Sequence, residues 1–201
     1  MSPVIGVLAI QGDVREHAHC LTELGAKVRL VKTPEQLVGL AGLVIPGGES
    51  TTMSILAVKN QLIEPLRELS AKIPMYGSCA GLIMLADTIT DGRSDQQTIG
   101  GLHISAKRNA FGRQVDSFEI DLKIPAIGEP DFHAIFIRAP LVESASEAVE
   151  VLAAIPGERS LTGSEQIVAV RQGNLMATSF HPEITSDLRI HKYFVEMVRS
   201  A

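Results

Sequence analysis

Residues 3–32, PVIGVLAIQGDVREHAHCLTELGAKVRLVK, decide the fold. An unbroken apolar run (Val4 to Ile10) of strand length gives way to VREHAHCLTEL, whose apolar residues fall at helical spacing and stop at Gly25. KVRLVK then reads as a second short strand. A strand without polar alternation is buried on both faces, and a helix between two such strands makes a β-α-β crossover with parallel strands. The first strand is not a secretory signal: no basic region precedes it and charged residues follow at once. The unit recurs. GLVIPGG is a third strand, STTMSILAVKNQLIEPLRELSAK a long helical stretch interrupted at Pro65, IPMYG a fourth strand, and AGLIMLADTI a helix directly after it. This implies an α/β fold with helices on both faces of the sheet.

From Thr98 onward the pattern shifts to short strand-like runs: TIGGLHISAKRN, SFEIDLKI, FHAIFIRAP, AVEVLAAI and QIVAVRQGNLMATSF. A hairpin signal, RQGN, lies at 171–174. DLRIHKYFVEMVRS closes the pattern as an amphipathic helix, and Pro156 to Gln166 reads as a polar loop. No repeat or interdomain linker interrupts residues 1–201, so one domain is expected. With 201 residues, 45% of them hydrophobic, a sizeable core is available. The formal charge of −5, without a basic run or an aromatic-basic stripe, leaves no footprint for nucleic acid or an anionic membrane. No window has the ~18 apolar residues of a membrane span. Two cysteines make no disulfide framework, so a cytoplasmic protein with reduced thiols is expected.

One of those cysteines is oddly placed. Gly77-Ser78-Cys79-Ala80-Gly81 sits where a buried strand turns into a helix, the form of a G-x-S-x-G nucleophile elbow with cysteine in the serine position. The glycines let the chain reverse and leave room beside the sulfur. The helix start favours an anionic sulfur, and the Ala80 amide faces the place where an oxyanion would develop. A free cysteine is also, commonly, just a small buried hydrophobe. A partner base decides between the two. LMATSFHPEIT supplies His181 after an apolar strand, with Glu183 two residues on. In extended chain these two project to one side, so the carboxylate orients the imidazole; the competing reading is a surface turn. Gly47 and Gly48 follow another buried strand and expose amides at a helix start, one of which, near Gly48, completes an oxyanion hole. The Lys-Ser/Thr ending of a phosphate-binding loop is missing. His17, His19 and Cys20 cluster in the first helix, but only His17 and Cys20 share a stripe, too few for a zinc set. His103, His133 and His191 stand alone.

These motifs, in this order on this α/β pattern, resemble the class I (triad) glutamine amidotransferases. LAIQGDVREH, PGGESTT, GSCAGLIMLA, RNAFGRQ, FIRAP and RQGNLMATSFHPE are similar, within that class, to the glutaminase subunits of pyridoxal 5'-phosphate synthases. The resemblance runs from Ile5 to about Glu183. It implies a flavodoxin-like three-layer α/β/α core with a mixed central sheet and extra antiparallel strands in the second half. It also implies hydrolysis of L-glutamine to glutamate and ammonia without metal or cofactor, and a separate synthase subunit as partner in a hetero-oligomer. Carried over by motif, Cys79 is the nucleophile, His181 the base and Glu183 its orienter. Gly48 and Ala80 form the oxyanion hole, and Gly48, Glu49, Ser50, Arg108, Ile137 and Arg138 contact substrate. A guanidinium fork at Arg108 suits the α-carboxylate of glutamine. Gln11, in the polar segment leaving the first strand, is expected to touch the synthase. Ser78 stands where the family often has threonine, and the loop from Pro156 to Gln166 is longer than usual. A glutaminase serving another synthase, such as those making imidazole glycerol phosphate or anthranilate, fits the elbow and the HPE but not RNAFGRQ. A regulatory module that lost the chemistry would not need all three of Cys79, His181 and Glu183.

Overall fold

Buried apolar runs fix the central strands. In the computed structural model, which describes residues 2–108, 117–160 and 163–201, β1 (Val4–Leu8), α1 (Val14–Glu23) and β2 (Lys27–Val31) form the expected crossover, with β1 and β2 parallel. There follow β3 (Gly42–Ile45), α2 (Ser50–Lys59), α3 (Ile63–Ser70), β4 (Met75–Ser78), α4 (Ala80–Leu85), β5 (Ala86–Ile89) and β6 (Leu102–Lys107). The later elements are β7 (Ser117–Leu122), β8 (Phe132–Ile137), β9 (Leu141–Ala145), β10 (Glu150–Ile155), β11 (Gln166–Gln172), β12 (Leu175–Thr178) and α5 (Arg189–Ser200). Among the described residues ten strands share one sheet, ordered β2-β1-β3-β4-β12-β11-β9-β6-β5, with β10 branching from β11. The first five are mutually parallel, β12-β11-β9-β6 antiparallel, and β5 parallel to β6. β7 and β8 form a separate antiparallel hairpin.

Side chains on these strands alternate between two buried layers. Leu8, Leu43, Ile45 and Met75 pack with α2, α3 and α4 on one face of the sheet. Ile5, Val7, Val44 and Tyr76 pack with α1, α5 and the β7–β8 hairpin on the other. This is the mixed-sheet α/β/α arrangement expected, because a strand with apolar residues at every position has to be covered twice.

Several local expectations are corrected. The long helical stretch breaks at Asn60 to Leu62, where Gln61 adopts φ +56°, and not at Pro65. Pro65 sits in the first turn of α3, where its missing N–H goes unused. The helix after the elbow stops at Leu85, and Ala86–Ile89, read as its continuation, is a strand pairing with β6. β9 was not anticipated. Within the polar loop, Gly157–Arg159 forms a 3-10 turn, while residues 161–162 lie outside the described residues, as do 109–114 of RNAFGRQ. Among the described residues, no helix is long and apolar enough to cross a membrane.

Candidate active site

Parallel neighbours end at the same edge of a sheet, and here that edge collects the chemistry. β1 leads into Gln11 and Asp13, β3 into Gly47 to Glu49, β4 into Cys79, and β12 into His181. Loops at the carboxyl ends of adjacent parallel strands are the usual ligand site of an open α/β sheet. β4 and β12 pair in register from Met75 with Leu175 to Ser78 with Thr178. The Cys79 N–H then donates to the Thr178 carbonyl at 2.8 Å, fastening the elbow to the strand that delivers His181.

Cys79 has φ +49° and ψ −102°, a conformation that side chains bearing a Cβ rarely adopt, held between the end of β4 and the start of α4. The flanking glycines are required by close approach. A Cβ on Gly77 would strike the Gly81 backbone, and one on Gly81 would strike the carbonyl of Ile45. The elbow is thus packed backbone to backbone against the end of β3.

The His181 Nδ1–H donates to Glu183 Oε1 at 2.7 Å, and Asp13 Oδ2 lies 3.4 Å from the same nitrogen. The pair was expected on extended chain. Instead Pro182–Ile184 forms a 3-10 turn, which brings the two side chains together by curling. Both residues are buried. Burial works against a charged imidazole, but hydrogen bonds to Asp13, Cys79 and Glu183 overcome it and push His181 up to about 12. Burial pushes the Glu183 carboxyl up, and the bond from His181 pulls it back. The Ser78 hydroxyl donates to the two Glu183 oxygens at 3.3 and 3.2 Å, so serine keeps a function that threonine would also serve. Asp13, His181 and Glu183 place donor atoms within 4.8 Å of one another, close enough for a cation. Since both acids flank one imidazole nitrogen, we assign the cluster to holding the ring.

The residues expected at the substrate and the oxyanion, Gly48, Glu49, Ser50, Ala80, Arg108, Ile137 and Arg138, line one cleft of ≈ 380 Å³ with Cys79 and His181. Gln11 and Asp13 line it too. A Cβ on Gly48 would strike the Gln11 amide, and Gln11 Oε1 accepts from the Glu49 N–H at 2.9 Å. Arg138, at the end of β8, has φ +44°, a strained backbone at the cleft wall.

The sequence expectation for Glu49 and Arg108 needs refinement. Glu49 is the N-cap of α2, accepting from Thr51 N–H at 3.0 Å and Thr52 N–H at 2.7 Å, and Arg108 Nη2 pairs with it at 3.1 Å. The Arg108 fork is therefore partly engaged by Glu49. Burial raises the Glu49 carboxyl, but bonds from the Thr52 hydroxyl and the Thr52 and Thr51 amides win and hold it at about 2, down from 4.5. A depressed carboxyl stabilises the fold at pH values above its unfolded value and loses that contribution as pH falls towards 2. Its side chain is 47% exposed, which limits the effect to about 1 kcal/mol, typical of an N-cap. Glu49→Ala should lower Tm by about 2–4 °C at pH 7, with the deficit shrinking below about pH 4. Thermal melts across pH test this; a deficit that grows on acidification contradicts it.

Asp13 was not singled out from sequence, and its only signal was a position next to QG at the end of a buried strand. His17 was weighed only as a metal ligand.

The family model for SNO glutamine amidotransferases matches residues 7–200. The chain belongs to the SNO glutamine amidotransferase family. Among similar proteins, one of Kineococcus radiotolerans named pyridoxal 5'-phosphate synthase subunit PdxT is 57% identical over 201 residues, covering 98% of this chain and 96% of that one. One of the same name from Clavibacter michiganensis subsp. michiganensis is 54% identical, covering 99% and 92%. A crystal structure described as a glutamine amidotransferase superposes with TM-score 0.86 at 44% identity, covering 97% of this chain and 98% of that chain. PurLQS from Thermotoga maritima, 16% identical with TM-score 0.69, shares the fold.

Proposed function

We propose that this chain is the glutaminase subunit of a pyridoxal 5'-phosphate synthase, one domain over residues 1–201 that hydrolyses L-glutamine and hands ammonia to a synthase subunit. The observation that carries the chemistry is a cysteine held at φ +49° on a strand-to-helix elbow beside a buried His181–Glu183 pair. The relatives' shared name supports the choice of synthase.

The Cys79 sulfur, as thiolate, attacks the carboxamide carbon, and the oxyanion forms between the backbone amides near Gly48 and Ala80. His181, an imidazole kept in charge by two carboxylates, delivers its proton to the departing nitrogen and ammonia leaves. A glutamyl thioester remains on Cys79. His181, now neutral, takes a proton from water, whose oxygen attacks the thioester carbonyl. The second tetrahedral intermediate collapses to glutamate and regenerates the thiolate and the imidazolium. Arg108 and Arg138 offer cations for the α-carboxylate, and Glu49 an anion for the α-ammonium.

Free ammonia in neutral water is mostly ammonium and no nucleophile, so hydrolysis is useful only when the acceptor is docked. The Gln11 side chain engages the amide directly after Gly48, so a partner that engages Gln11 reaches the oxyanion loop through one hydrogen bond. The expected outcome is fast glutamine hydrolysis only with the synthase subunit present, glutamine-dependent formation of pyridoxal 5'-phosphate, and weaker activation for Gln11→Ala. Equal hydrolysis with and without the partner would refute the coupling. A complex that makes the product only from added ammonia would refute the function.

A further inference from the structure

One face of α1 backs the His181–Glu183 pair at three points. Asp13, His17 and Cys20 are spaced i, i+4 and i+7, and therefore share a helix face. Asp13 approaches His181 Nδ1, as described; His17 Nε2 lies 3.4 Å from Glu183 Oε2; and the Cys20 thiol points at the Glu183 carbonyl oxygen, 4.0 Å away. His17 is fully buried, and its Nε2 has no hydrogen-bond partner among the described residues although it faces a carboxylate. Its other nitrogen, Nδ1, is 2.9 Å from Nε2 of His191, itself fully buried on α5. Tyr76 stands edge-on to both rings, with centroids 6.0 Å from each.

Two neutral imidazoles sharing one hydrogen bond admit two proton arrangements. If His17 carries its proton on Nδ1 and donates to His191, the bare Nε2 lone pair faces the Glu183 carboxylate inside the protein, which is repulsive. If His191 donates from Nε2 to His17 Nδ1, then His17 must carry its proton on Nε2 and aims an N–H at Glu183. The second arrangement turns the repulsion into attraction, and in both of them His191 Nδ1 is without a partner.

We propose that His17 is a positioning residue for the reaction: as a neutral imidazole with its tautomer set by His191, it presents Nε2–H to Glu183 and holds that carboxylate charged and oriented from the side opposite His181. This rests on the glutaminase reading above. Neutrality is essential, because a cation at this position would draw the carboxylate away from His181 during turnover. Burial, then His191, then His181 push His17 well below its ordinary value, and burial takes His191 to about 4, so both rings remain uncharged while the enzyme works. The other titratable groups facing Glu183 do not replace His17. Tyr76 on β4 is pushed well above 10 by burial and stays a phenol, Cys20 is pushed by burial to about 11 and stays a thiol, Asp13 repels the carboxylate, and His181 and Cys79 are occupied in the reaction.

The test compares three variants in the assembled complex with glutamine, and reads the tautomer directly. His17→Phe keeps a flat ring, slightly larger, and removes both nitrogens. His17→Gln places an amide near Nε2 and restores the donor to Glu183. His17→Asn places one near Nδ1 and restores only the link to His191. The expected results are a kcat about tenfold lower for His17→Phe, on the order of the loss of one N–H dipole facing a buried carboxylate, with KM little changed. The acid limb of its kcat profile should move to higher pH, because Glu183 without its donor protonates more readily. His17→Gln should recover most of both effects and His17→Asn should not. Nitrogen-15 spectra of histidine-labelled wild type should show His17 as the neutral Nε2–H tautomer from about pH 5 to 8. A wild-type acid limb and kcat in His17→Phe, recovery by His17→Asn equal to that by His17→Gln, or an Nδ1–H tautomer would each overturn the proposal. The spectra need no variant to fold. They also separate the two readings: a wild-type complex that releases no ammonia from glutamine removes the glutaminase reading, whatever tautomer His17 has.

Discussion

Cys79→Ala is expected to abolish glutamine hydrolysis, a loss on the order of 10⁶-fold, with the fold intact. The size follows from the absence of a substitute: no other side chain in the cleft can form a thioester. Cys20 is buried against the back of Glu183, and burial pushes its thiol up to about 11, so it offers neither access nor thiolate. A glutamine-like electrophile should therefore label Cys79 alone, and labelling of Cys20 instead would remove the assignment. The fold should tolerate the change because alanine, like cysteine, carries a single Cβ into the same positive-φ backbone. Cys79→Gly separates strain from chemistry. It relieves backbone strain of about 1–3 kcal/mol, offset by about 0.5–1 kcal/mol of extra unfolded-chain freedom. It should be inactive yet melt no lower than wild type.

The second large effect concerns the base. His181→Asn should lose about as much as Cys79→Ala, since nucleophile and base act as one unit, while Glu183→Gln should lose roughly 10⁴-fold, in keeping with a group that orients rather than reacts. Combining Cys79→Ala with His181→Asn should add almost nothing to either alone. The measurement is single-turnover thioester formation together with steady-state ammonia release, with the synthase subunit present. Full activity in His181→Asn would mean that another group takes the proton, and Asp13, 3.4 Å from the ring, would be the first to examine.

What the sequence revealed of this site depended on how local each signal was. Cys79 between Gly77 and Gly81, and His181 two residues from Glu183, are short-range patterns whose chemistry can be read without knowing what packs on them. That the early strands run parallel and are covered on both faces followed from apolar runs, because a doubly covered strand admits no polar alternation; their order in the sheet did not. The role of His17 could not be read in this way: it arises from α1 lying against the HPE turn, 166 positions away by the arithmetic 183 − 17, and from α5 closing over both. Asp13 was hidden for the same reason. The misread stretch from Ala86 to Ile89 shows the opposite failure. Its residues continue an apolar helix pattern, but Ala86 pairs with Leu102 and Ile89 with Ala106, and tertiary pairing overrides a local preference. Arg108 was legible as a cation for a carboxylate; that Glu49 already holds part of it was not.

The hydrogen bond from the Cys79 amide to the Thr178 carbonyl has a bearing on how the molecule is made. β4 lies between β3 and β12, so until β12 is synthesised and inserted, β4 is an open edge and the elbow has no neighbour to fasten it. Long-range insertion of a parallel strand between existing elements is slow, because loop closure must precede any contact it rewards. A ribosome-bound chain that has emerged only as far as β11 would thus carry the thiol but neither the base nor the strand that clamps the elbow, and would be silent towards glutamine. Onset of Cys79 labelling by a glutamine-like electrophile during refolding should then coincide with the last step of sheet assembly rather than with collapse, making that reaction a built-in reporter of completed folding.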